Sequence, residues 1–163
     1  MKKPDYHSLA LGLTIELSPA ELKEGKNLLK QLNLQRQAIR SRTVMLVDDE
    51  SFILEALEFA LRAKFGNITI RKFQDSEEAW RELSQSDPAL LIVRDRMAGM
   101  TGREIVGRLV ERKATFPIIV GGGWPATEEW VRECANENPN VVFLPYPFSP
   151  EQLYLTLPPS LSL

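Results

Sequence analysis

The chain has 163 residues, 44% of them apolar and 26% charged, which is enough for one domain with its own core plus an extension and requires neither disulfides nor a structural metal. Its single cysteine, Cys134, forms no internal disulfide, and the sequence shows no cationic stretch followed by an apolar run of signal-peptide length and no run of about 20 apolar residues that would span a bilayer, so a soluble cytoplasmic protein with no membrane partner is expected. The net charge of -2 divides unevenly: residues 1–43 carry eight Lys/Arg against four Asp/Glu (+4), the remainder twelve against eighteen (-6), and the absence of a basic patch interleaved with aromatics argues against nucleic-acid binding.

The amino-terminal stretch is polar, and its His7, the one histidine of the chain, reads as a surface residue. Ser18-Pro19-Ala20-Glu21 has the chemistry of a helix start, with a hydroxyl cap, proline at the first position and a carboxylate to close the box, and it predicts a helix over about 19–40. Leu22, Leu29, Leu32 and Ile39 share one face of that helix, interrupted by Gly25 and Arg36. So short an apolar stripe favours a helix packed on its own domain over a long coiled coil, with a homodimer through the helix as the alternative.

From Thr43 onward, apolar runs of strand length alternate with longer amphipathic stretches, the pattern of a parallel sheet with crossover helices. Strands are predicted at 44–47, 68–73, 89–93, 117–120 and 141–144, and helices at about 51–64, 76–85, 102–113 and 126–136. Asp75 with Glu78 and Thr101 with Glu104 have capping-box spacing, and Gly66-Asn67 supplies a turn. Ser149-Pro150-Glu151-Gln152 begins a last helix that Pro158-Pro159 ends after about two turns. The organisation is thus an extension at 1–42, a domain at 43–157 and a tail at 158–163, expected to stand alone without an output domain. Its fold is a doubly wound, five-stranded parallel sheet of the flavodoxin-like kind with an extra amino-terminal helix. Sites on such a sheet lie at the carboxyl ends of the strands, which here means Asp48 to Glu50, Arg94 to Met97, Gly121 to Trp124 and Pro145 to Phe148.

Several motifs in order resemble the receiver domain of two-component response regulators. Val47-Asp48-Asp49-Glu50 is similar to the family's metal-binding acid pair, and Asp87-Pro88 followed by Ala98-Gly99-Met100-Thr101-Gly102 to its third-strand surroundings. Pro117-Ile118-Ile119-Val120 resembles the fourth strand, and Pro147-Phe148-Ser149-Pro150 the junction before the last helix. The resemblance implies a signalling module rather than an enzyme, with protein partners in a phosphorelay, in which an aspartate on the third strand accepts a phosphoryl group, the acid pair holds a divalent ion, and a Thr or Ser and a Lys bind phosphoryl oxygens.

The working parts depart from that pattern. The acceptor slot, counted seven residues after Asp87 and four before Ala98, falls on Arg94; the hydroxyl slot falls on Gly122 and the lysine slot on Tyr146. A guanidinium stays protonated and presents only donors, so Arg94 cannot serve as nucleophile. The pattern resembles a degenerate pseudo-receiver. Arg94 is then expected to neutralise Asp48 and Asp49 in place of a metal; the alternative leaves Arg94 in solvent and Asp48 and Asp49 as a Mg²⁺ site. A bulge that shifts the register by one residue would instead make Asp95 the phosphoacceptor. No other cofactor is implied.

Gly121-Gly122-Gly123-Trp124-Pro125 matches neither a P-loop nor a dinucleotide fingerprint and is expected to be a flexible turn. Trp124 and Trp130 flank the start of the helix at 126–136; one is expected in the core, and an exposed one would mark a partner surface. Phe143 reads as a static core or interface residue, Cys134 as a small buried side chain, and Arg103, Arg108 and Arg112 as a solvated helix face.

Overall fold

The computed structural model describes residues 18–40, 42–159 and 161, with side chains described throughout except at 33–40. His7 and the side chains of Arg36 and Ile39 therefore lie outside the described residues. The chain divides into two compact units, Met1–Ala38 and Ile39–Leu163.

The first unit contains all but the last two residues of α1 (Pro19–Arg40). Its start follows the cap chemistry: the Glu21 carboxylate accepts from the Ser18 N–H at 2.8 Å and the Ser18 hydroxyl at 2.6 Å, and the Glu21 N–H donates back to Ser18 Oγ at 3.3 Å. Leu28, Leu29 and Leu32 are exposed along it.

The second unit alternates strands and helices in chain order: β1 (Thr43–Val47), α2 (Ser51–Phe65), β2 (Thr69–Phe73), α3 (Ser76–Leu83), β3 (Leu90–Arg94), α4 (Gly102–Glu111), β4 (Ile118–Gly122), α5 (Ala126–Glu137), β5 (Val141–Pro145) and α6 (Pro150–Thr156). All strand pairs are parallel, in the order β2-β1-β3-β4-β5, which is the doubly wound arrangement. Helix starts are capped locally. Thr101 with Glu104 and Ser149 with Gln152 form complete capping boxes, whereas Asp75 caps α3 by accepting from the N–H groups of Glu77 and Glu78. α4 ends at Glu111, two residues before the expected end, and Lys113, at φ 57°, turns the chain away from the helix.

The period-two alternation of a strand sorts the core. Met45, Val47, Leu91, Val93, Ile118 and Val120 face α3, α4 and α5 through Leu83, Ile105, Leu109 and Val131. Val44, Leu46, Leu90, Ile92, Ile119 and Leu144 face α2 and α6 through Leu54, Leu57, Leu61 and Leu153. Continued one or two residues past the core, the same alternation sends Asp48 and Arg94 to the α2/α6 side of the sheet edge and Asp95 to the α3/α4/α5 side. Among the described residues no helix is long and apolar enough to cross a membrane.

Candidate functional site

Because Val47 pairs with Val93 across β1 and β3, Asp48 and Arg94 leave the sheet level with each other. Arg94 Nη1 donates to Asp48 Oδ1 at 3.1 Å and to Asp49 Oδ1 at 3.2 Å, and it makes its shortest contact with Glu50 Oε1. Two N–H hydrogens are thus shared among three carboxylates, each from a different residue of the β1–α2 loop. Asp48 is fully buried, while the Asp49 and Glu50 side chains remain about two-fifths exposed. The Glu50 N–H donates to Asp48 Oδ1 at 2.9 Å, so that oxygen carries two bonds. The other, Asp48 Oδ2, is buried with no hydrogen-bond partner, as is the Tyr146 hydroxyl.

Burial raises the Asp48 carboxyl above its ordinary value, against the opposing pull of the Glu50 N–H and Arg94. Arg94 is held further above its usual range: burial works against its charge, but Glu50 and Asp48 outweigh it. Tyr146 is pushed up by burial and then by the Asp48 charge, so it stays a neutral phenol. Its ring occupies the space beside β4 that a side chain at 121 would need, since a Cβ on Gly121 would lie 2.3–2.5 Å from the ring carbons and hydroxyl.

On the opposite side of the sheet edge lies a second network that the sequence reading missed. Asp95 is 2% exposed and accepts from Arg103 Nε at 2.6 Å, from Arg103 Nη2 at 3.2 Å and from Thr127 Oγ1 at 2.7 Å. Burial would raise its pKa, but Arg103 and Thr127 hold it below the ordinary carboxylate value. Arg103 also donates to the Ala126 carbonyl at 3.3 Å and lies over the Trp130 ring at 4.9 Å. The helix face expected to be solvated is therefore engaged: Arg108 lies over Trp80 at 5.1 Å and Arg112 pairs with Asp87 at 2.7 Å. Three arginines at roughly helical spacing read as a surface stripe, because nothing local announces partners on other elements.

The glycines also differ from expectation. Gly121 and Gly122 are buried residues of β4 rather than a flexible turn, because Tyr146 and Thr127 fill the volumes their side chains would take; a Cβ on Gly122 would lie 2.6 Å from Thr127 Oγ1. Trp124 is 71% exposed, whereas Trp130 and Phe143 are partly buried against the α5 side of the core. Trp124 and the largely exposed Arg96 border a cleft of about 330 Å³ between the β3–α4 and β4–α5 loops. Cys134 is partly buried and its thiol is pushed up by burial, which leaves it a packing residue rather than a nucleophile. Among the described residues, no three His, Cys, Asp or Glu side chains converge in a geometry suited to a metal ion.

A doubly wound sheet with acidic residues following its first strand defines the class, and the family model for the response regulator receiver domain matches residues 44–157. The chain belongs to that family, and its receiver domain is a signalling module of the two-component type. Among solved structures, an uncharacterized protein from Neptuniibacter caesariensis is 26% identical with a TM-score of 0.59, covering 71% of this chain and 84% of that one. Full-length FixJ from B. japonicum is 21% identical (TM-score 0.58, 69% of this chain, 54% of that one). The N-terminal signal receiver domain of a two-component system response regulator from Bacteroides fragilis is 16% identical (TM-score 0.60, 74% and 97%). At these last two identities the likeness is one of fold. No curated protein matches the chain.

Proposed function

We propose that this receiver is a pseudo-receiver: it has given up aspartate phosphorylation and acts by binding protein partners in a signalling pathway. The observation that carries the reading is Arg94 Nη1 seated among Asp48, Asp49 and Glu50. A phosphorylatable receiver needs a carboxylate nucleophile in that slot and a divalent ion on the acid pair to neutralise charge as the phosphoryl group arrives. Here a fixed cation replaces both. The donor set does not fit Mg²⁺ while Arg94 is in place, because one oxygen of each of the three carboxylates already bonds a guanidinium whose charge would repel the ion. Gly122 offers no hydroxyl, and Tyr146 offers a neutral phenol where a lysine would stand.

The competing reading, an active receiver using Asp95 with Mg²⁺ on Asp48 and Asp49, requires Asp95 beside the acid pair. Strand alternation sends it to the other side of the sheet edge, where Arg103 and Thr127 occupy both its oxygens. For partners, Trp124 is the exposed aromatic anchor, while Trp130 and Phe143 are partly buried against the core. The exposed leucines of α1 (Leu28, Leu29 and Leu32) supply a further contact surface for a second copy of the chain, giving a homodimer. Incubation with acetyl phosphate and Mg²⁺, followed by intact-mass measurement, tests the reading. No phosphoryl adduct is expected, and an adduct that disappears in Asp95→Asn would establish the competing one.

A further inference from the structure

We infer that Asp95 is a built-in surrogate for a phosphoryl group, an internal anion that Thr127 and Arg103 hold so that α4 and α5 stay tied to the end of β3 in one permanent arrangement. The inference rests on the pseudo-receiver reading, in which no phosphoryl group arrives to do this.

The chemistry is that of a bound phosphoryl group moved into the protein: an anion, a hydroxyl that donates to it and a cation that neutralises it. Each comes from a different element. Asp95 follows β3, Arg103 lies in the first turn of α4, and Thr127 lies in the first turn of α5. The hydroxyl missing at 122 is supplied by Thr127, whose Oγ1 sits only 2.6 Å from where a Cβ at 122 would be. Glycine at 122 is thus what allows α5 to deliver its own threonine into the pocket.

Three observations make the arrangement a fixed tie rather than a surface ion pair. Asp95 and Thr127 are 2% and 3% exposed, so bulk solvent does not screen their contact. The Arg103 contact is bidentate, which fixes the guanidinium plane as well as its distance. Arg103 then reaches past Asp95 to the Ala126 carbonyl and the Trp130 ring, joining α4 to α5 at two further points. The other charged or titratable groups near this cluster are Arg96, 3.9 Å from Asp95, and Cys134 and Glu133, which face Arg103 from α5. Arg96 is a second, longer-range cation for the Asp95 carboxylate, but only Arg103 hydrogen-bonds it among these charged groups. The consequence is that the rim carrying Trp124 and Arg96 is already organised for a partner, with no covalent signal required.

Hydrogen exchange read by mass spectrometry, with tryptophan fluorescence alongside, tests the tie in the full chain. Thr127→Val keeps the shape and removes the hydroxyl, Thr127→Ser keeps the hydroxyl, and Asp95→Asn keeps the shape and removes the charge. Thr127→Val and Asp95→Asn are expected to speed exchange across 122–131 by about tenfold, the effect of losing one hydrogen bond to a charged group. Thr127→Ser should stay close to the unaltered protein, and the β1–β2 ladder should keep its rate in every variant. Asp95→Asn should also change the tryptophan emission as Arg103 leaves the Trp130 ring. Unchanged exchange across 122–131 in Thr127→Val, or acceleration spread equally over β1 and β2, overturns the inference. Should Asp95→Asn fail to fold, the two threonine variants decide alone. Acetyl phosphate treatment of the same samples separates the two readings: an adduct on the unaltered protein would sink the pseudo-receiver reading and leave the tie to be judged by exchange.

Discussion

Replacing Arg94 by methionine removes the guanidinium and keeps most of the apolar stem. Its strongest partner in energetic terms is Asp48, which is fully buried and 3.1 Å away; at an effective dielectric near 20 that attraction is about 5 kcal/mol before desolvation. Asp49 and Glu50 are partly exposed and add only a fraction each. Deleting one partner of a buried pair costs about 3–5 kcal/mol, since the remaining charge is stranded. Asp48 relieves part of that by taking up a proton, which its raised pKa makes easier. The net loss is expected at about 3 kcal/mol, or a fall in Tm of roughly 10 °C for a domain of this size. The variant also frees three carboxylates that no longer face a cation. Mg²⁺ at a hundred times its Kd would restore about 2.7 kcal/mol. The assay is thermal unfolding of both proteins with and without Mg²⁺ at matched ionic strength. A large Tm loss that Mg²⁺ mostly reverses, beside an unaltered protein indifferent to Mg²⁺, is the expected result. A variant as stable as the parent, or a parent that gains as much from Mg²⁺ as the variant does, would refute the reasoning.

The two buried aspartates predict opposite pH dependence. Asp48 is raised above 3.8, so the native state gains from its protonation, and the unaltered protein should gain stability relative to Asp48→Asn as pH falls through the raised pKa towards 3.8. Asp95 is lowered, so its contribution is present above 3.8 and is lost as pH falls through the folded value, and the advantage over Asp95→Asn should shrink there; urea unfolding across an acid pH series reads both. Gly102→Ala would place a Cβ 1.9 Å from the Arg94 carbonyl oxygen, and a loss of about 3 kcal/mol or more in urea titrations is expected because backbone must move. Gly121→Ala meets the Tyr146 ring, which shifts more easily, and should cost about 1–3 kcal/mol by the same measurement. Trp124→Ala, at an exposed site, should change the urea midpoint by less than about 0.5 kcal/mol of stability.

What could be read from the sequence was whatever is written locally. The start of α1 at Pro19 follows from a cap whose members lie within four residues, and the strands follow from apolar runs with turn residues at their ends. Arg94 was legible because the position of a strand end can be counted from Asp87 and Ala98, and parallel pairing then sets it level with Asp48. Its three carboxylate partners include Glu50, which the reading placed beside the acid pair without assigning it to the cation. Arg103 and Thr127 were not legible. Their partner Asp95 is 8 and 32 residues away along the chain, and only the packing of α4 and α5 on one side of the sheet brings the three together. The glycines of β4 were misread for the same reason: glycine signals a turn locally, but here it yields volume to Tyr146 and Thr127, which arrive from elsewhere.

The central claim is that Arg94 stands where a divalent ion would otherwise be held, and calorimetric titration of Mg²⁺ into the unaltered protein tests it most directly. The account predicts no saturable binding at millimolar Mg²⁺ in the unaltered chain and measurable binding once Arg94 is changed to methionine. A one-to-one isotherm in the unaltered protein, abolished by Asp49→Asn, would contradict it.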